Sequence, residues 1–346
     1  MNESTLFIHV GPGKTATTFL QNVVLAKTRS VESLVKPIVE LGGEKLRFGD
    51  LFNFPPEVWN DSEGGAFAHL IRHREGHGSL IISDEHVFGG LASPQPWIPD
   101  PARKIGPIVR LYRQTNGQTD TYSMAAHLRR LSAVATNWGF AETKVLAVTR
   151  QQDTRLASGY AQVSDRVRGA DQEGFEAWVR HLTQNPVGYY MGGGLKLDYL
   201  AWYNEIESAV GANSVRMLPF ELLGENEVDF VRRYLTMLGA EESDVERVVD
   251  DLKKSASRKR NVSSRTGSEW LLREPVRTGP RLRPARLCSA LGLPGRLPLR
   301  WPDFSRENSI FLTSDLSREI LGTYEQSNQQ LDEVLPGLEL GKHGYY

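Results

Sequence analysis

The segment from Leu6 to Leu20 constrains the fold of this chain more than any other part of the sequence. A short apolar run ends in Gly11-Pro12-Gly13, and Lys14 and three threonines then lead into an apolar-periodic segment. Glycines let a backbone turn sharply and approach a ligand closely, and a helix start presents free N–H groups and a positive dipole end. The pattern predicts a strand, a turn and a helix that together bind a phosphate-like anion. The alternative is that these residues only cap the helix.

This predicted cradle differs from the phosphate loop of nucleotide triphosphatases. Gly13-Lys14-Thr15 matches the end of that pattern, but Ile8 occupies the position of its first glycine. The loop is therefore shorter and surrounds fewer phosphate oxygens. No apolar strand that ends in a magnesium-binding aspartate is evident downstream. These differences disfavour an ATP-dependent kinase of the P-loop type, which stays an alternative together with a non-catalytic nucleotide-binding module.

The order Gly-Pro-x-Lys-Thr-x-Thr-Thr instead resembles the phosphosulfate-binding loop of sulfotransferases, whose donor is 3′-phosphoadenosine 5′-phosphosulfate (PAPS). The resemblance implies an α/β fold, with a P-loop-like central parallel sheet flanked by helices and with helical insertions, as one domain over residues 1–346. The donor-binding residues that it implies in the loop are Gly11, Gly13, Lys14, Thr15, Ala16, Thr17 and Thr18. Sulfotransferases usually have glycine at the position of Ala16. Because alanine adds one methyl group and favours a helix, we expect a slightly narrowed loop.

A second segment agrees with this resemblance. Lys144–Thr149 is predicted as a buried parallel strand, and Arg150 stands at its carboxyl end, where ligands bind in open α/β sheets. Ser158 lies two turns along the helix predicted to follow. Sulfotransferases place an arginine and a serine at this spacing on the 3′-phosphate of the donor, and a guanidinium suits phosphate oxygens. Taken alone, such a pair more often consists of ordinary surface residues, and it gains weight only together with the first loop.

A basic run late in the chain extends the predicted donor site. Sulfotransferases close a basic loop over the nucleotide, and Arg258, Lys259 and Arg260 occupy that place here, followed by an Asn-Val-Ser sequence similar to that of bacterial members. A solvated basic surface explains the run equally well. Basic residues outnumber acidic ones across residues 253–300, which we expect to form this nucleotide-closing loop and an irregular region.

The acceptor must be deprotonated as it attacks, and the segment after the predicted strand Leu80–Ile82 offers two bases. Bacterial and carbohydrate-type sulfotransferases often carry Ser-x-Glu at this place, so the resemblance implies that Glu85 is the base. His86 is the alternative, since the unperturbed pKa of histidine suits the role. Ser83, Asp84 and Glu85 also fit a helix cap, which does not exclude catalysis. Lys14 is expected to stabilise the negative charge that grows on the leaving phosphate oxygen.

The composition of the chain limits the kinds of partner that we expect it to bind. The chain has 346 residues, 40% of them hydrophobic, and a net charge of −1, so it has no global attraction to nucleic acid. The single Cys288 fits a reducing compartment, and the sequence shows neither a signal peptide nor a transmembrane segment, so we expect a cytoplasmic enzyme of bacterial type. We expect no metal, and interpret His73, Glu75 and His77 as polar surface. The expected acceptor is a small molecule, lipid or glycan.

Hydrophobic periodicity predicts the remaining elements. The predicted core strands are residues 5–10, 79–83, 144–149 and 214–218. The predicted helices are residues 15–26, 119–138, 175–182, 195–209, 228–238, 244–252 and 314–335. Candidate aromatic residues of an acceptor pocket are Tyr112, His127, Trp138, Tyr160, Trp178, Tyr189, Tyr190 and Trp202, although most aromatic residues of a globular protein belong to its core.

Overall fold

The computed structural model of the chain contains most of the helices and strands predicted from the sequence. The described residues are 4–10, 15–41, 43–60, 65–71, 78–84, 87, 124–164, 170–184, 189–190, 195–255, 265–266, 268–273 and 309–346.

The described residues form twelve strands and ten α-helices. In chain order the strands are β1 (Thr5–Val10), β2 (Glu32–Val35), β3 (Ile38–Leu41), β4 (Glu44–Arg47), β5 (Leu80–Ser83), β6 (Glu142–Thr149), β7 (Tyr189–Tyr190), β8 (Leu195–Lys196), β9 (Val215–Pro219), β10 (Arg265–Thr266), β11 (Glu269–Leu271) and β12 (Ser309–Phe311). The helices are α1 (Thr17–Phe19), continued by a π-helix over Leu20–Leu25, then α2 (Ala66–Ile71), α3 (Met124–Asn137), α4 (Gln152–Val163), α5 (Gln172–Thr183), α6 (Tyr199–Val210), α7 (Glu221–Glu225), α8 (Glu227–Met237), α9 (Glu242–Ser255) and α10 (Ser314–Val334). Short 3₁₀ turns occupy Phe48–Asn53 and Pro56–Val58.

A five-stranded parallel sheet lies at the centre, in the order β2-β5-β1-β6-β9. The strand β1 occupies the middle and is buried along its whole length, because it pairs with β5 on one side and β6 on the other. Parallel strands covered on both faces need apolar residues at successive positions, which explains the continuous apolar runs of β1, β5 and β6. The predicted α/β class, with a central parallel sheet flanked by helices, is confirmed.

Helices cover both faces of this sheet. Leu6, Ile8 and Val10 face one core cluster, to which α2, α3 and α6 contribute their apolar sides. Phe7 faces the opposite cluster, which the π-helical segment, α8 and α9 complete. Since successive side chains of a strand alternate between faces, the same short strand builds both cores.

A third core cluster lies between α4, α5 and the first half of α10. Strands β11 and β12 of the antiparallel sheet β10-β11-β12 cover it, and Trp270 on β11 is buried against the helices. This arrangement attaches α4, the helix that follows Arg150, to the C-terminal part of the chain.

Several element boundaries differ from the sequence-based prediction. The strand β2 (Glu32–Val35) was not predicted, because it lies at the sheet edge and lacks an apolar run: its first three residues are half-buried and Val35 is exposed. The hairpin of β3 and β4 was also missed. The helix predicted from residue 195 begins at Tyr199, since the Asp198 carboxylate caps it by accepting the Ala201 N–H at 2.8 Å, and residues 195–196 form β8. Among the described helices, none is long and apolar enough to cross a membrane.

Candidate functional site

Three neighbouring strands deliver the predicted site segments to one edge of the sheet. Ser83 at the end of β5 pairs in register with His9, and Val10 at the end of β1 pairs with Ala147 of β6. Because all three strands are parallel, the loop after β1, the acidic segment after β5 and the segment after β6 leave the sheet on the same side. The strand β6 continues to Thr149, two residues past the partner of Val10, and Arg150 follows it on the same side of the sheet.

The described part of the cradle shows how its backbone turns into the helix. Ala16 adopts the left-handed region, with φ 59° and ψ 9°, immediately before α1. Left-handed backbone is costly for a residue with a Cβ and routine for glycine. The helix propensity of alanine is therefore not the property that matters here, because Ala16 lies before the helix and not inside it.

The threonines of the cradle differ in exposure. Thr15 is 0% exposed and Thr17 is 6% exposed, whereas the side chain of Thr18 is exposed. The Thr17 hydroxyl is buried and has no hydrogen-bond partner among the described residues. A buried hydroxyl without a partner costs free energy unless a ligand or water supplies the missing bond. The Thr17 hydroxyl thus has the bonding capacity that an anion ligand would use.

A cluster of buried polar side chains joins the ends of β1 and β5 to the helical segment that follows the cradle. The Ser83 hydroxyl lies 2.8 Å from His9 Nδ1 and accepts a hydrogen bond of 3.0 Å from Gln21 Nε2. Gln21 Nε2 also lies 3.3 Å from the Ser83 carbonyl oxygen, and the Tyr234 ring packs edge-on against His9, with centroids 5.6 Å apart. The cluster ties the ends of β1 and β5 to the π-helical segment. The Ser83 hydroxyl therefore serves this cluster, although the sequence also fitted it as a helix cap.

The next residue after β5 is also fixed. Asp84 is 0% exposed, and its Oδ2 accepts the Gly49 N–H at 2.9 Å. Glu85 and His86, the two candidate bases, follow directly and lie outside the described residues. The described residue immediately before the two candidates is therefore held by a side-chain hydrogen bond.

Arg150 is 6% exposed and is packed between several elements. Its Nε donates a hydrogen bond of 3.2 Å to Thr154 Oγ1, and its guanidinium carbon lies 4.8 Å from the centroid of the Phe220 ring. The Arg150 carbonyl oxygen accepts a 2.6 Å hydrogen bond from the Tyr199 hydroxyl. Ser158, the second predicted residue for the 3′-phosphate, lies on the following helix α4 and is 3% exposed.

Two residues that sequence reasoning missed, Glu221 and Tyr345, complete this side of the site. Glu221 Oε1 accepts the Gln151 N–H at 3.0 Å, and Glu221 Oε2 accepts the Tyr345 hydroxyl at 2.8 Å. Burial raises the pKa of the Glu221 carboxyl group, while these two hydrogen bonds and the charge of Arg150 act in the opposite direction. The sequence around Glu221 gave no indication of these contacts.

The structure thus places the described cradle residues Thr15, Ala16, Thr17 and Thr18 and the Arg150 segment beyond the ends of adjacent strands. The predicted site residues outside the described part of the chain are Gly11, Gly13, Lys14, Glu85, His86, Arg258, Lys259 and Arg260.

Most candidate pocket aromatics that the structure describes are core residues. Tyr160, Trp178 and Trp202 are at most 1% exposed. His127 is fully buried, its Nδ1 accepts the Trp59 indole N–H at 3.1 Å, and burial lowers its pKa to about 4. Trp138, at 38% exposed, is the partly accessible member among those with described side chains. These aromatics stabilise the fold, and they do not identify the acceptor.

Comparison with known proteins gives a limited similarity to sulfotransferases. No protein-family model matches the chain, and no curated protein matches it. A sulfotransferase from Alicyclobacillus acidocaldarius is similar over 70% of this chain and 83% of its own, with 16% identity and a TM-score of 0.39. A mouse sulfotransferase (SULT7A1) complexed with PAP is similar over 75% of this chain and 69% of its own, with 10% identity and a TM-score of 0.36. Scores this low carry no functional argument.

Proposed function

We propose that this chain is a PAPS-dependent sulfotransferase, which transfers a sulfuryl group to a hydroxyl, less readily an amine, of a small-molecule, lipid or saccharide acceptor. The observation that carries the proposal is the adjacency of β1 and β6. It supports two neighbouring anion sites, one in the segment from Gly11 to Thr18 and one at Arg150. A donor with phosphates at both the 5′ and the 3′ positions needs two such sites, whereas the phosphates of ATP form one chain.

The described residues fit such a donor. The buried Thr17 hydroxyl has no protein partner in the described part of the chain and offers a hydrogen bond to a 5′-phosphate-type oxygen. Arg150 offers a guanidinium, which can bind phosphate oxygens in a bidentate way, and Phe220 beneath it restricts its orientation. Ser158 on α4 offers a second hydroxyl toward the same phosphate.

Bound PAPS supplies an activated sulfuryl group, and the residues of the chain orient and ionise the groups around it. Glu85, with His86 as the alternative, accepts the proton of the acceptor as the acceptor oxygen–sulfur bond forms. Lys14 stabilises the negative charge on the phosphate oxygen as the sulfur–oxygen bond to that phosphate breaks. The protonated base then loses its proton to solvent. We place this enzyme in the cytoplasm, because the single Cys288 suits a reducing compartment.

Thermal unfolding with different nucleotides tests the proposal. The purified chain is heated with PAPS, with adenosine 3′,5′-bisphosphate (PAP), or with ATP and Mg²⁺. A ligand at about a hundred times its dissociation constant stabilises a fold by roughly 2.7 kcal/mol. We expect PAPS and PAP to raise the melting temperature and ATP–Mg²⁺ to leave it nearly unchanged. Stabilisation by ATP–Mg²⁺ without stabilisation by PAP would favour the kinase.

Substitution of Arg150 locates the second anion site. We expect Arg150→Ala to weaken binding of PAP far more than binding of adenosine 5′-monophosphate (AMP), which lacks the 3′-phosphate. Arg216→Ala is the matched control, since Arg216 on β9 is half-buried and donates to the carbonyl oxygens of Asn213 and Val215. Equal losses for PAP and AMP in Arg150→Ala would contradict the assignment of Arg150 to the 3′-phosphate.

A further inference from the structure

The C-terminal tail of the chain, residues 335–346, ends at the donor side of the sheet. After α10 the chain turns back, and the side chain of Tyr345 is 0% exposed. Its hydroxyl donates to Glu221 Oε2 at 2.8 Å and lies 3.2 Å from Thr149 Oγ1, at the end of β6.

The tail holds the residue on the other side of Arg150 as well. Gln151 Nε2 donates to the carbonyl oxygens of His343 and Gly344, at 2.9 and 3.0 Å. The Gln151 N–H donates to Glu221, the same carboxylate that accepts the Tyr345 hydroxyl. Both chain neighbours of Arg150, Thr149 and Gln151, are therefore linked to the tail through side-chain hydrogen bonds.

The main chain of Tyr345 is fixed in turn by the start of α4. Asn328 Nδ2 donates to the Tyr345 carbonyl oxygen at 3.1 Å, and Gln152 Nε2 donates to Asn328 Oδ1 at 3.0 Å. The Tyr345 ring lies against the ring of Tyr199, with centroids 6.4 Å apart, and Tyr199 holds the Arg150 carbonyl oxygen. The tail, α4, α6 and α10 thus form one continuous frame around the turn that carries Arg150.

We propose that the C-terminal tail is part of the donor site and that Tyr345 is a positioning residue, which fixes the Arg150 turn through Glu221 and Thr149. This inference rests on the proposed function of Arg150 as the ligand of a 3′-phosphate. The Tyr345 hydroxyl touches neither the donor nor the reacting atoms. Tyr345 acts on the donor only through the backbone of residues 149–151, which positions Arg150. Because Arg150 is the proposed ligand of the 3′-phosphate, Tyr345 favours nucleotides that carry this phosphate.

Tyr345→Phe tests the inference with the smallest change, since it removes the hydroxyl and keeps the ring. Dissociation constants for PAP and AMP are measured by calorimetry on the full chain. Loss of one hydrogen bond to a charged group corresponds to roughly a tenfold change in an equilibrium constant. We expect Tyr345→Phe to weaken PAP by about tenfold and AMP by less than about twofold. Tyr346→Phe is the matched control, because the Tyr346 hydroxyl donates to Asp332 and the residue is 43% exposed.

A second variant disturbs the same frame from the backbone. Gly344 has φ +76°, and a Cβ at this position would lie 2.8 Å from Gln151 Nε2. We expect Gly344→Ala to displace the Gln151 amide and to lower the preference for PAP over AMP in the same direction as Tyr345→Phe. A general loss of stability would weaken both nucleotides together, so the ratio of the two dissociation constants separates positioning from folding.

The outcomes separate the inference from the proposed function. A selective loss of PAP binding in Arg150→Ala and Tyr345→Phe, absent in Tyr346→Phe, supports both. If Arg150→Ala loses the preference for PAP while Tyr345→Phe and Gly344→Ala keep it, the tail has no positioning role and the proposed function stands. If Arg150→Ala itself keeps the wild-type preference, the 3′-phosphate assignment fails and the inference about the tail fails with it.

Discussion

The hydroxyl of Tyr199 donates a 2.6 Å hydrogen bond to the carbonyl oxygen of Arg150. The same hydroxyl accepts a hydrogen bond of 3.0 Å from Arg155 Nη1, and both Tyr199 and Arg155 are almost fully buried. Tyr199 stands in the first turn of α6, whereas Arg150 directly follows the last residue of β6. Through Tyr199, the helix α6 therefore fixes the backbone at the point where the chain turns from β6 toward the proposed 3′-phosphate site.

Tyr199→Phe is expected to destabilise the fold. It leaves the buried Arg150 carbonyl oxygen and a buried guanidinium N–H without this partner, and such a loss costs about 2 kcal/mol. Urea unfolding measures the change in the free energy of unfolding. Tyr203→Phe on the same helix is the control, because Tyr203 is only half-buried, and burial and nearby charges are what act on its hydroxyl. Equal stabilities of the two variants would contradict a structural role for the Tyr199 hydroxyl.

Thr17→Val is expected to separate binding from folding. Since the Thr17 hydroxyl is buried and has no partner among the described residues, its replacement by a methyl group leaves the unliganded protein as stable as the wild type, or more stable by up to about 1 kcal/mol. The same change lowers the affinity for PAP by about tenfold. Calorimetry measures the affinity and urea unfolding the stability.

The control for Thr17→Val is Thr28→Val, beyond the end of the same helical segment. The Thr28 hydroxyl donates to the Val24 carbonyl oxygen at 3.0 Å. We expect Thr28→Val to leave PAP affinity unchanged. Unchanged PAP affinity in Thr17→Val would remove Thr17 from the donor site.

Ala16→Gly is expected to stabilise the fold by up to about 1 kcal/mol, because glycine adopts the left-handed backbone of this position without steric cost. Part of that gain is offset by the larger backbone entropy of glycine in the unfolded chain. Ala26→Gly supplies the contrast. Ala26 has φ −61° in the right-handed region, so the same substitution there destabilises by about 0.5–1 kcal/mol. Thermal unfolding of both variants checks the sign, and destabilisation by Ala16→Gly would contradict the strained turn.

The central strands of the sheet were predictable because their sequences are continuous apolar runs. The strands β1, β5 and β6 are buried on both faces, so their residues form apolar runs, and Arg150 follows such a run directly. The strand β2 is an edge strand whose Glu32 and Ser33 are half-buried, and a pattern search has no signal for it. The local pattern therefore identified β1, β5, β6 and the edge strand β9, and it missed the other edge strand, β2.

The contacts that form the frame around Arg150 could not be predicted from the sequence, for a different reason. Tyr345 lies 124 positions from Glu221 and 196 positions from Thr149 along the chain, and no periodicity connects them. Such contacts depend on how α6 and α10 pack, which only the folded chain defines. The aromatic candidates failed similarly, since a buried core residue such as Trp178 and a pocket residue have the same sequence signature.

Acidic conditions are expected to destabilise the fold through His127. Burial lowers its pKa in the folded chain to about 4, against 6.5 for the unperturbed group. Its Nδ1 accepts the Trp59 indole N–H, which only donates, so a proton on Nδ1 would break this bond. A lowered pKa means that the unfolded chain binds the proton first. The contribution of His127 is therefore complete above pH 6.5 and decreases as the pH falls toward 4, by at most about 3 kcal/mol.

The variant His127→Gln checks this dependence. We expect the free energy of unfolding to fall less steeply between pH 6.5 and pH 4 in His127→Gln than in the wild type, whatever the stability of the variant at pH 7. His181→Gln is the control, because the His181 side chain is exposed on α5. Parallel pH curves for His127→Gln and the wild type would show that His127 does not titrate in this way.

Glu85→Gln is expected to abolish sulfuryl transfer while PAP binding stays nearly intact, because the change removes a proton acceptor and keeps the shape of the side chain. Asp84, one position earlier, is held by its own side-chain hydrogen bond from the Gly49 N–H. Turnover is followed as PAP release from PAPS with a panel of hydroxyl acceptors, and PAP affinity by calorimetry. His86→Ala is measured in parallel. Loss of turnover in His86→Ala with full turnover in Glu85→Gln would transfer the role of base to His86, and full turnover in both would exclude this segment from proton transfer.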